Sequence, residues 1–471
     1  MDGIDVPSPR PPLPLVDLRS RDEFDEMHLS HPSASAAIHH RLDDECGGGV
    51  VAAAEEYHDD GSDGTIKRLE PPIIVNLPLS SLISGERSCE LPPRHMEFAV
   101  LIPRGYARSF LLDNVDARVG ECAIRRLFFS SRSESTKQSR KPWLVRQVLI
   151  DDDNLWKEAS DMGCIRRGSG GDDGIDDGIP FRRLPRLWKP DPLISSDILP
   201  LLKEWTTKMC DPYSGEEMCD ERSINCHVTN AEISSDETSV ANTLGLVWDL
   251  GCGAGRDICY LAEEMKEFQH TLLSRQREQS TGSFHFFGID NHKGSERRCK
   301  PLWKNRGVDD IADSVALDLN KLHLVRDQLM TPPPTKVLMR PGPIPYRVCI
   351  IAIRYLNRKL LSYIAEATSA TNIATTTFTR ISKNTMQCTP PPLELPLGTL
   401  VAISHFCKPE EGASWNFDHP KESNVLERHE LRRLFRCDAR EDQKWHILKD
   451  DLIIDGDHGR TLIQFVARMI A

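Results

Sequence analysis

The segment from Val247 to Asp257 constrains the fold more than any other part of the sequence. It reads Val-Trp-Asp-Leu-Gly-Cys-Gly-Ala-Gly-Arg-Asp, so three alternating glycines directly follow an apolar run. Apolar residues at spacings of three and four come next, which predicts a helix. Strand, glycine turn and helix in this order form a ligand-binding loop at the carboxyl end of a parallel sheet. Glycine accepts positive φ and lets a ligand approach the backbone, so the segment predicts a site for a nucleoside-containing cofactor.

The spacing of the glycines bears on which cofactor binds. A dinucleotide fingerprint requires Gly-x-Gly-x-x-Gly, with an acidic residue about 20 positions further on. Here the third glycine comes one position early and is followed by Arg256. The pattern Asp-x-Gly-x-Gly-x-Gly instead resembles the first motif of class I S-adenosylmethionine-dependent methyltransferases. The resemblance implies that S-adenosyl-L-methionine is the cofactor and that these residues bind it: Asp249, Gly251, Cys252, Gly253, Gly255, Arg256 and Asp257.

Two further strands predicted after the glycine segment each carry an aspartate. The first, at 284–289, ends at Asp290, where the resemblance places a carboxylate that accepts both ribose hydroxyls. The second, at 312–319, carries Asp318 at the position where the family contacts adenine. Glycine turns and strand-end aspartates also occur in proteins that bind nothing, as turn formers and helix caps, and this alternative stays open for Asp318.

The candidate catalytic residues follow the fourth and fifth predicted strands, at 347–353 and 398–404. The fourth strand end normally faces the transferable methyl group in this family, and here it leads to Arg354, Tyr355 and Arg358. Arg354 or Arg358 is a candidate to hold an anionic acceptor, and His405 is a candidate to accept a proton. We therefore name Arg354, Tyr355 and His405 as catalytic candidates, with ordinary structural roles as the alternative for each.

The rest of the predicted domain consists of a covering helix, a late helix and a closing hairpin. A helix at 198–205 is expected to cover the cofactor, a helix at 425–435 follows the fifth strand, and two strands at 445–454 and 461–468 close the sheet. Residues 188–471 are thus expected to form a seven-stranded, Rossmann-like α/β methyltransferase domain. The Gly-Cys-Gly-Ala-Gly-Arg-Asp form of the loop resembles tellurite-resistance and thiopurine-type methyltransferases, and the expected substrate is a small molecule or a protein side chain.

The net charge, the apolar runs and the cysteines of the sequence bear on whether the protein binds nucleic acid, a membrane or a metal. The net charge of −12 weakens the phosphate attraction on which nucleic-acid binding depends, so the composition disfavours a nucleic-acid substrate. No stretch approaches the ~18 apolar residues that span a bilayer, and the N-terminus lacks the features of a signal or transit peptide. We therefore expect no membrane association and a cytoplasmic location. The 14 cysteines form no Cys-x-x-Cys pair, and the densest group (Cys210, Cys219, Cys226 and His227) fits no common zinc pattern, so no metal is expected.

Residues 1–165 predict a second, smaller α/β domain. The strand at 14–19, with Asp17 and Arg19, is followed by Glu23-Phe24 and by His28-Leu29. This order resembles the opening of a rhodanese domain. A rhodanese requires a nucleophilic cysteine after its central strand, whereas here the strand at 98–102 ends in Pro-Arg-Gly. The resemblance therefore implies an inactive rhodanese-like module that docks a protein partner or regulates the enzyme; an unrelated α/β domain is the alternative.

A Gly- and Asp-rich segment separates the two predicted domains. Residues 166–187 are expected to form a flexible linker, because such a composition cannot bury apolar surface. The whole chain is thus interpreted as a methyltransferase fused to a non-catalytic rhodanese-like domain. Two alternatives stay open: a non-catalytic cofactor-binding scaffold or sensor, and sulfur transfer through Cys89 or Cys122.

Overall fold

The chain divides into two compact units, Met1–Lys189 and Pro190–Ala471, in a computed structural model. Within them the structure describes residues 13–29, 73–84, 87–94, 96–104, 106, 128, 143–161, 165–167, 185–210, 243–275, 283–330, 347–369, 391–436, 443–455 and 459–470. Part of the predicted linker, residues 168–184, lies outside these ranges, as do Cys122, Cys219, Cys226 and His227.

The first unit contains a four-stranded parallel sheet with the order β3-β1-β4-β5. A separate antiparallel pair is formed by β2 and β6. The strands are β1 (Leu15–Asp17), β2 (Met27–Leu29), β3 (Ile74–Asn76), β4 (Glu97–Ile102), β5 (Leu144–Ile150) and β6 (Ile165–Arg167). The helices are α1 (Arg21–Glu26), α2 (Leu79–Ile83) and α3 (Asp153–Asp161), with a 3-10 turn at Ser88–Glu90.

Apolar side chains cover both faces of this small sheet. One cluster includes Val16, Phe98 and Val100, and another includes Ala99, Leu101 and Leu149. Successive residues of a strand point to opposite faces, so the continuous apolar run of β4 is what a strand covered on both sides requires. The first unit therefore has a core of its own.

The second unit is built around a seven-stranded sheet with the order β14-β15-β13-β10-β7-β8-β9. Only β15 runs opposite to the other six strands. The strands are β7 (Thr243–Leu250), β8 (Ser283–Asp290), β9 (Ala312–Ala316), β10 (Arg347–Ile353), β13 (Leu400–Phe406), β14 (Trp445–Asp455) and β15 (Arg460–Met469), with a small parallel pair, β11 (Thr368–Ser369) and β12 (Glu394–Leu395). The predicted α/β fold with a mostly parallel sheet is confirmed.

Helices flank the parallel strands of this sheet. They are α4 (Leu199–Cys210), α5 (Arg256–Arg275), α6 (Lys293–Asn305), α7 (Leu322–Met330), α8 (Arg358–Ala365) and α9 (Glu430–Leu434), and a π-helical turn at Ile194–Ile198 precedes α4. The core contains Trp248 stacked on Phe287, with ring centroids 4.6 Å apart, and Phe435 packed edge-on to Trp445. Because the parallel strands share a direction, the carboxyl ends of β7, β8, β9, β10 and β13 meet at one edge of the sheet.

Two predicted segments differ from the structure. The helix expected at 425–435 is helical only in α9, because Leu426 donates its amide to the Phe406 carbonyl and forms an isolated parallel bridge with Cys407. The predicted linker is also too long at both ends. Residues 166 and 167 belong to β6, and Leu187 is buried in the core of the first unit.

No helix in the described part of the chain has the length and apolarity needed to cross a membrane.

Candidate cofactor site

The glycine loop between β7 and α5 has the backbone geometry that the sequence predicts. The φ angles of Gly251, Gly253 and Gly255 are +80°, +58° and +68°, values that side chains with a Cβ rarely adopt. The loop is anchored to the neighbouring strand, because the amides of Gly251 and Cys252 donate to the Ile289 carbonyl over 2.7 and 3.2 Å. The turn is thus a fixed part of the sheet edge.

The three glycines face different surroundings. A Cβ on Gly251 would collide with the Tyr355 ring, and one on Gly255 would lie 2.7 Å from the sulfur of Cys299 and 2.8 Å from the Trp303 ring. A Cβ on Gly253 would meet no atom closer than 4.0 Å, and that atom is the Gly251 carbonyl oxygen. The first and third glycines therefore permit close packing, whereas the second faces open space in which a ligand fits against the backbone.

Asp290 joins the glycine loop to the end of β8. Its Oδ2 accepts a hydrogen bond from the Gly253 amide at 2.9 Å, and its Oδ1 accepts one from the His292 amide at 2.7 Å. A carboxylate has about four acceptor positions, so these two bonds leave capacity for the ribose hydroxyls that the resemblance assigns to it. The structure brings Asp290 and the open side of Gly253 together.

Two further carboxyl groups lie beside the loop with raised pKa values. Asp249, at the end of β7, is only 3% exposed, and burial together with the nearby carboxyls of Asp257 and Asp290 raises its pKa well above the ordinary value. Burial also raises the pKa of Asp257 to about 6, while Arg354 and Arg256 oppose the shift. Clustered, desolvated carboxyls favour a positively charged ligand, because such a ligand stabilises their ionised forms.

Asp191 belongs to this site, although the sequence reasoning missed it. Its amide donates to Asp257 Oδ1 at 3.1 Å, and its Oδ2 accepts from the Ser404 hydroxyl at 3.0 Å. The only local signal was an aspartate between two prolines ahead of a helix, which is typical of a helix cap. Its connection to residues 66 and 213 positions away is visible only in the folded chain.

Arg354 and Tyr355 both lie at the edge that the sequence predicts. Arg354 is exposed, adopts φ of +53°, and places its guanidinium carbon 5.9 Å from the centre of the Phe406 ring. Tyr355 packs its ring against Gly251, and partial burial raises the pKa of its hydroxyl. The positive charge of Arg354 thus acts on the Asp257 carboxyl, while the Tyr355 ring packs against the first glycine of the loop.

His405 is less accessible than a surface base. It is 4% exposed, and its Nε2 lies 2.8 Å from the Asn424 carbonyl oxygen. A carbonyl only accepts hydrogen bonds, so Nε2 carries the proton, and Nδ1 is left without a partner among the described residues. Burial lowers the pKa of His405, so the ring is neutral at pH 7. Its neighbours in β13, Ser404 and Phe406, point to the opposite face of the sheet.

Arg358, suggested from the sequence as an anion-holding group, has structural partners. Its guanidinium binds both carboxylate oxygens of Glu430 and donates to the carbonyl oxygens of Ser423 and Val425 at 2.8 and 2.7 Å. It therefore fastens α8 to the segment before α9. A periodicity argument could not reveal this, because Glu430 is 72 residues further along the chain.

Asp318 lies two residues beyond the end of β9. Its Oδ1 accepts hydrogen bonds from both the amide and the side chain of Asn320, each at 3.0 Å. These are the contacts of a turn-forming aspartate ahead of α7, which was the open alternative. The Oδ1 of Asn320 accepts a hydrogen bond from the Asn357 side chain at 3.2 Å. Hydrogen bonds through Asn320 therefore connect Asp318 to Asn357, which follows β10.

The cysteines near the loop are packed thiols. The sulfurs of Cys252 and Cys299 are 4.0 Å apart, and Cys299 is fully buried. Cys89, in the first unit, is 4% exposed. Across the described ranges, no group of three or more His, Cys, Asp or Glu residues has the arrangement of a metal site.

No protein-family model matches the sequence, and no curated protein matches it either. Solved structures with a similar fold include a S-adenosylmethionine-dependent methyltransferase from Aquifex aeolicus (12% identity, 49% of this chain, 85% of that chain, TM-score 0.26). The [4+2]-cyclase SpnF is similar at 12% identity over 49% of this chain and 76% of its own, with a TM-score of 0.28. Geranyl diphosphate C-methyltransferase from Streptomyces coelicolor A3(2), solved with S-adenosyl-L-homocysteine, is similar at 11% identity over 49% and 76%, with a TM-score of 0.27. Likenesses at this level carry no conclusion about function.

Proposed function

We propose that the second unit is an S-adenosylmethionine-dependent methyltransferase that acts on a small molecule or a protein side chain. The observation that carries this proposal is Gly253, which combines a positive φ with open space beside a carboxylate that anchors the loop. A glycine in this conformation with nothing packed on it is what a backbone needs in order to lie directly against a ligand.

The residues present fit this cofactor in charge as well as in shape. Asp290 would accept the ribose hydroxyls, and the buried carboxyls of Asp249 and Asp257 would face the positive end of the molecule. The carboxyl of Asp249 accepts no hydrogen bond from the described residues, which leaves its acceptor positions for a ligand. The cofactor supplies a methyl carbon that is electrophilic because it is bonded to a sulfonium.

The chain's own residues then have three tasks: alignment, exclusion of water, and management of charge and protons. An in-line displacement gains most of its rate from alignment, and the fixed glycine loop supports that task. Arg354, exposed at the end of β10, is in position to attract an acceptor that carries negative charge. His405 stays the candidate base for a neutral acceptor because its Nδ1 carries no proton, although that nitrogen is buried.

A thermal-shift titration with S-adenosyl-L-homocysteine tests the cofactor assignment. At 100 times the dissociation constant, a bound ligand stabilises a fold by about 2.7 kcal/mol, which raises the melting temperature measurably. We expect this shift for the wild type and its loss in Gly253→Ala, because the added methyl group occupies the space next to the backbone. NADH, as a dinucleotide control, is expected to give no shift.

Gly459→Ala is the matched control for that variant. Gly459 also has a positive φ, +64°, and its Cβ would meet nothing within 4 Å, so alanine imposes a similar backbone cost there. It lies in the turn that leads into β15, which is three positions from β7 in the sheet, and the variant should keep the full shift. No shift in the wild type at millimolar nucleoside would refute the cofactor assignment.

For the first unit we propose a non-catalytic, rhodanese-like role in docking a protein partner or regulating the second unit. Support comes from β4, which leads into Pro103 and Arg104 rather than a cysteine, and from Cys89, whose sulfur is buried. A buried thiol is a poor nucleophile. Sulfur transfer is the outcome that would contradict this role, and a thiosulfate assay on the wild type and Cys89→Ser measures it.

A non-catalytic cofactor sensor is the second candidate function. One observation favours it. Arg358 forms an ion pair with Glu430, and the buried His405 is hydrogen-bonded to the Asn424 carbonyl, so two of the groups suggested for catalysis have structural partners. Transfer of a radiolabelled methyl group to any member of an acceptor panel would exclude the sensor. Tight nucleoside binding with no transfer to any acceptor would favour it.

A further inference from the structure

Asp191 connects three separate elements at the carboxyl edge of the sheet. Its amide donates to Asp257, the second residue of α5, and its Oδ2 accepts from Ser404 near the end of β13. Its Oδ1 accepts from the Leu193 amide at 3.0 Å, which starts the helical segment leading to α4. The Asp191 side chain is buried, and both of its carboxyl oxygens are engaged, so its position is fixed.

These contacts determine where the Asp257 carboxyl lies. The bond from the Asp191 amide holds Asp257 Oδ1 at the start of α5, next to the glycine loop. Ser404, the other partner of Asp191, accepts the Arg354 amide through its own carbonyl at 2.7 Å. Asp191 is therefore hydrogen-bonded directly to Asp257 and, through Ser404, to the backbone at the end of β10.

The charges that face Asp257 are unequal in sign. Asp191, on the entry segment, acts against ionisation of Asp257, whereas the positive charges of Arg354 after β10 and Arg256 in α5 favour it. Asp249, at the end of β7, is a further buried carboxyl, and it has no hydrogen bond from the described residues. Two carboxylates held this close in a buried site repel each other, and a ligand with a positive charge relieves that repulsion.

The proposed reaction changes the charge of the cofactor by one unit. The acceptor's electron pair forms the new bond to the methyl carbon, and the electrons of the carbon–sulfur bond return to sulfur. The sulfonium thus becomes a neutral thioether. The amino and carboxyl groups and the adenosine of the cofactor are the same before and after transfer, so only the sulfur distinguishes the two forms electrostatically.

We propose that Asp191 is a positioning residue that makes the site prefer the sulfonium form of the cofactor over the thioether product. It does so by holding the Asp257 carboxyl at the loop and by adding its own negative charge behind it. This inference rests on the proposed function, and it goes further by assigning the discrimination between substrate and product forms to a residue outside the glycine motif.

Titration calorimetry on the full chain with three ligands tests the proposal. The ligands are S-adenosylmethionine, S-adenosylhomocysteine and sinefungin, in which a protonated amine carries the positive charge without a transferable methyl group. Asp191→Asn retains the backbone amide and an acceptor oxygen for Leu193 but removes the charge. We expect this variant to lower the affinity for each of the two cationic ligands, relative to the affinity for S-adenosylhomocysteine, by about fivefold or more.

Two variants separate charge from architecture. Asp197→Asn makes the same chemical change in the same segment, at a residue that pairs with Lys449 instead, and should leave the affinity ratios unchanged. Ser404→Ala removes the hydroxyl that binds Asp191 but keeps the Asp191 carboxylate. It should lower the affinity for all three ligands without changing the ratios between them.

Equal weakening of the three ligands by Asp191→Asn would overturn the proposal, because a purely architectural role moves all affinities together. A change of the ratio in Asp197→Asn as large as in Asp191→Asn would overturn it as well. If the wild type binds none of the three ligands, the proposed function itself fails, which is a different result from binding with an unchanged ratio.

Discussion

Asp257 shows at the scale of one residue how a site can lower the stability of the fold that carries it. Its carboxyl has a pKa of about 6, against an ordinary value of 3.8, chiefly because it is buried. In the folded chain the group keeps its proton to a higher pH than in the unfolded chain. Its neutral form therefore stabilises the fold at low pH, and that contribution is lost as the pH rises through about 6.

Asp257→Asn is expected to be more stable than the wild type at pH 8. The amide imitates the neutral acid and keeps an oxygen for the Asp191 amide, so the gain is up to about 3 kcal/mol. The gain should shrink towards pH 5, where the wild-type carboxyl is largely protonated. Melting temperatures of both proteins at the two pH values check this, and a gain that is the same at both would contradict it.

Residue types at this edge could be predicted from the sequence, but their roles could be predicted only in part. Gly253 and Asp290 occupy the expected positions because local backbone geometry and a strand end specify them. The structural partners of Arg358 were not foreseen, and Asp191 was missed. In both cases the deciding partner is more than 60 residues away, and no local pattern encodes such a contact.

At the scale of elements, the glycine loop depends on helix α6 beneath it. The indole Nε1 of Trp303 donates to the Gly255 carbonyl at 3.0 Å, and the ring packs where a Cβ on Gly255 would be. Trp303 is buried, so this contact joins the core directly to the third glycine of the loop. The absence of a side chain at Gly255 is therefore a requirement of helix packing.

Trp303→Phe is expected to reduce both stability and cofactor affinity. It removes one of the two donors to the Gly255 carbonyl, which also accepts from the Cys259 amide at 2.9 Å, and it opens a small cavity. Together these changes cost about 1–3 kcal/mol. Trp445→Phe is the matched control, because that buried indole also donates to a carbonyl, of Ala365, at 3.0 Å. Denaturant unfolding should show a loss in both variants, whereas S-adenosylhomocysteine affinity should fall only in Trp303→Phe. Equal affinities in the two variants would contradict the link between α6 and the loop.

The element pattern was predictable where periodicity is strong and failed where a long-range pairing intervenes. The strands β7, β8 and β10 lie within a few residues of their expected bounds, because each is a short apolar run with a clear end. The segment at 425–429 has helical spacing of apolar residues, yet it is not helical, because Leu426 pairs with Cys407 and α9 begins only at Glu430. Tertiary pairing overrides local propensity there.

At the scale of the whole molecule, two units with separate cores predict two unfolding transitions. Among the described residues, the apolar clusters of the first unit share no member with those of the second. Domains with their own cores unfold as independent cooperative units. Scanning calorimetry of the intact chain should therefore resolve two transitions, and S-adenosylhomocysteine should raise the midpoint temperature of only one of them.

The second unit alone, residues 190–471, identifies that transition. It is expected to fold and to melt at the temperature of the nucleoside-sensitive transition in the intact chain, with the same ligand-induced increase. A nucleoside-induced shift of both transitions would instead mean that the two units unfold together.

The sequence alone determined the local chemistry of this protein: the strand, the three-glycine turn, the helix and the strand-end carboxylate of Asp290. These follow from short-range sterics and periodicity, which act over a few residues. Only the tertiary structure decided that Asp191 joins the site, that Arg358 is occupied by Glu430 and that His405 faces Asn424. Such pairings depend on which strands become neighbours, and that is set by burial of the whole core.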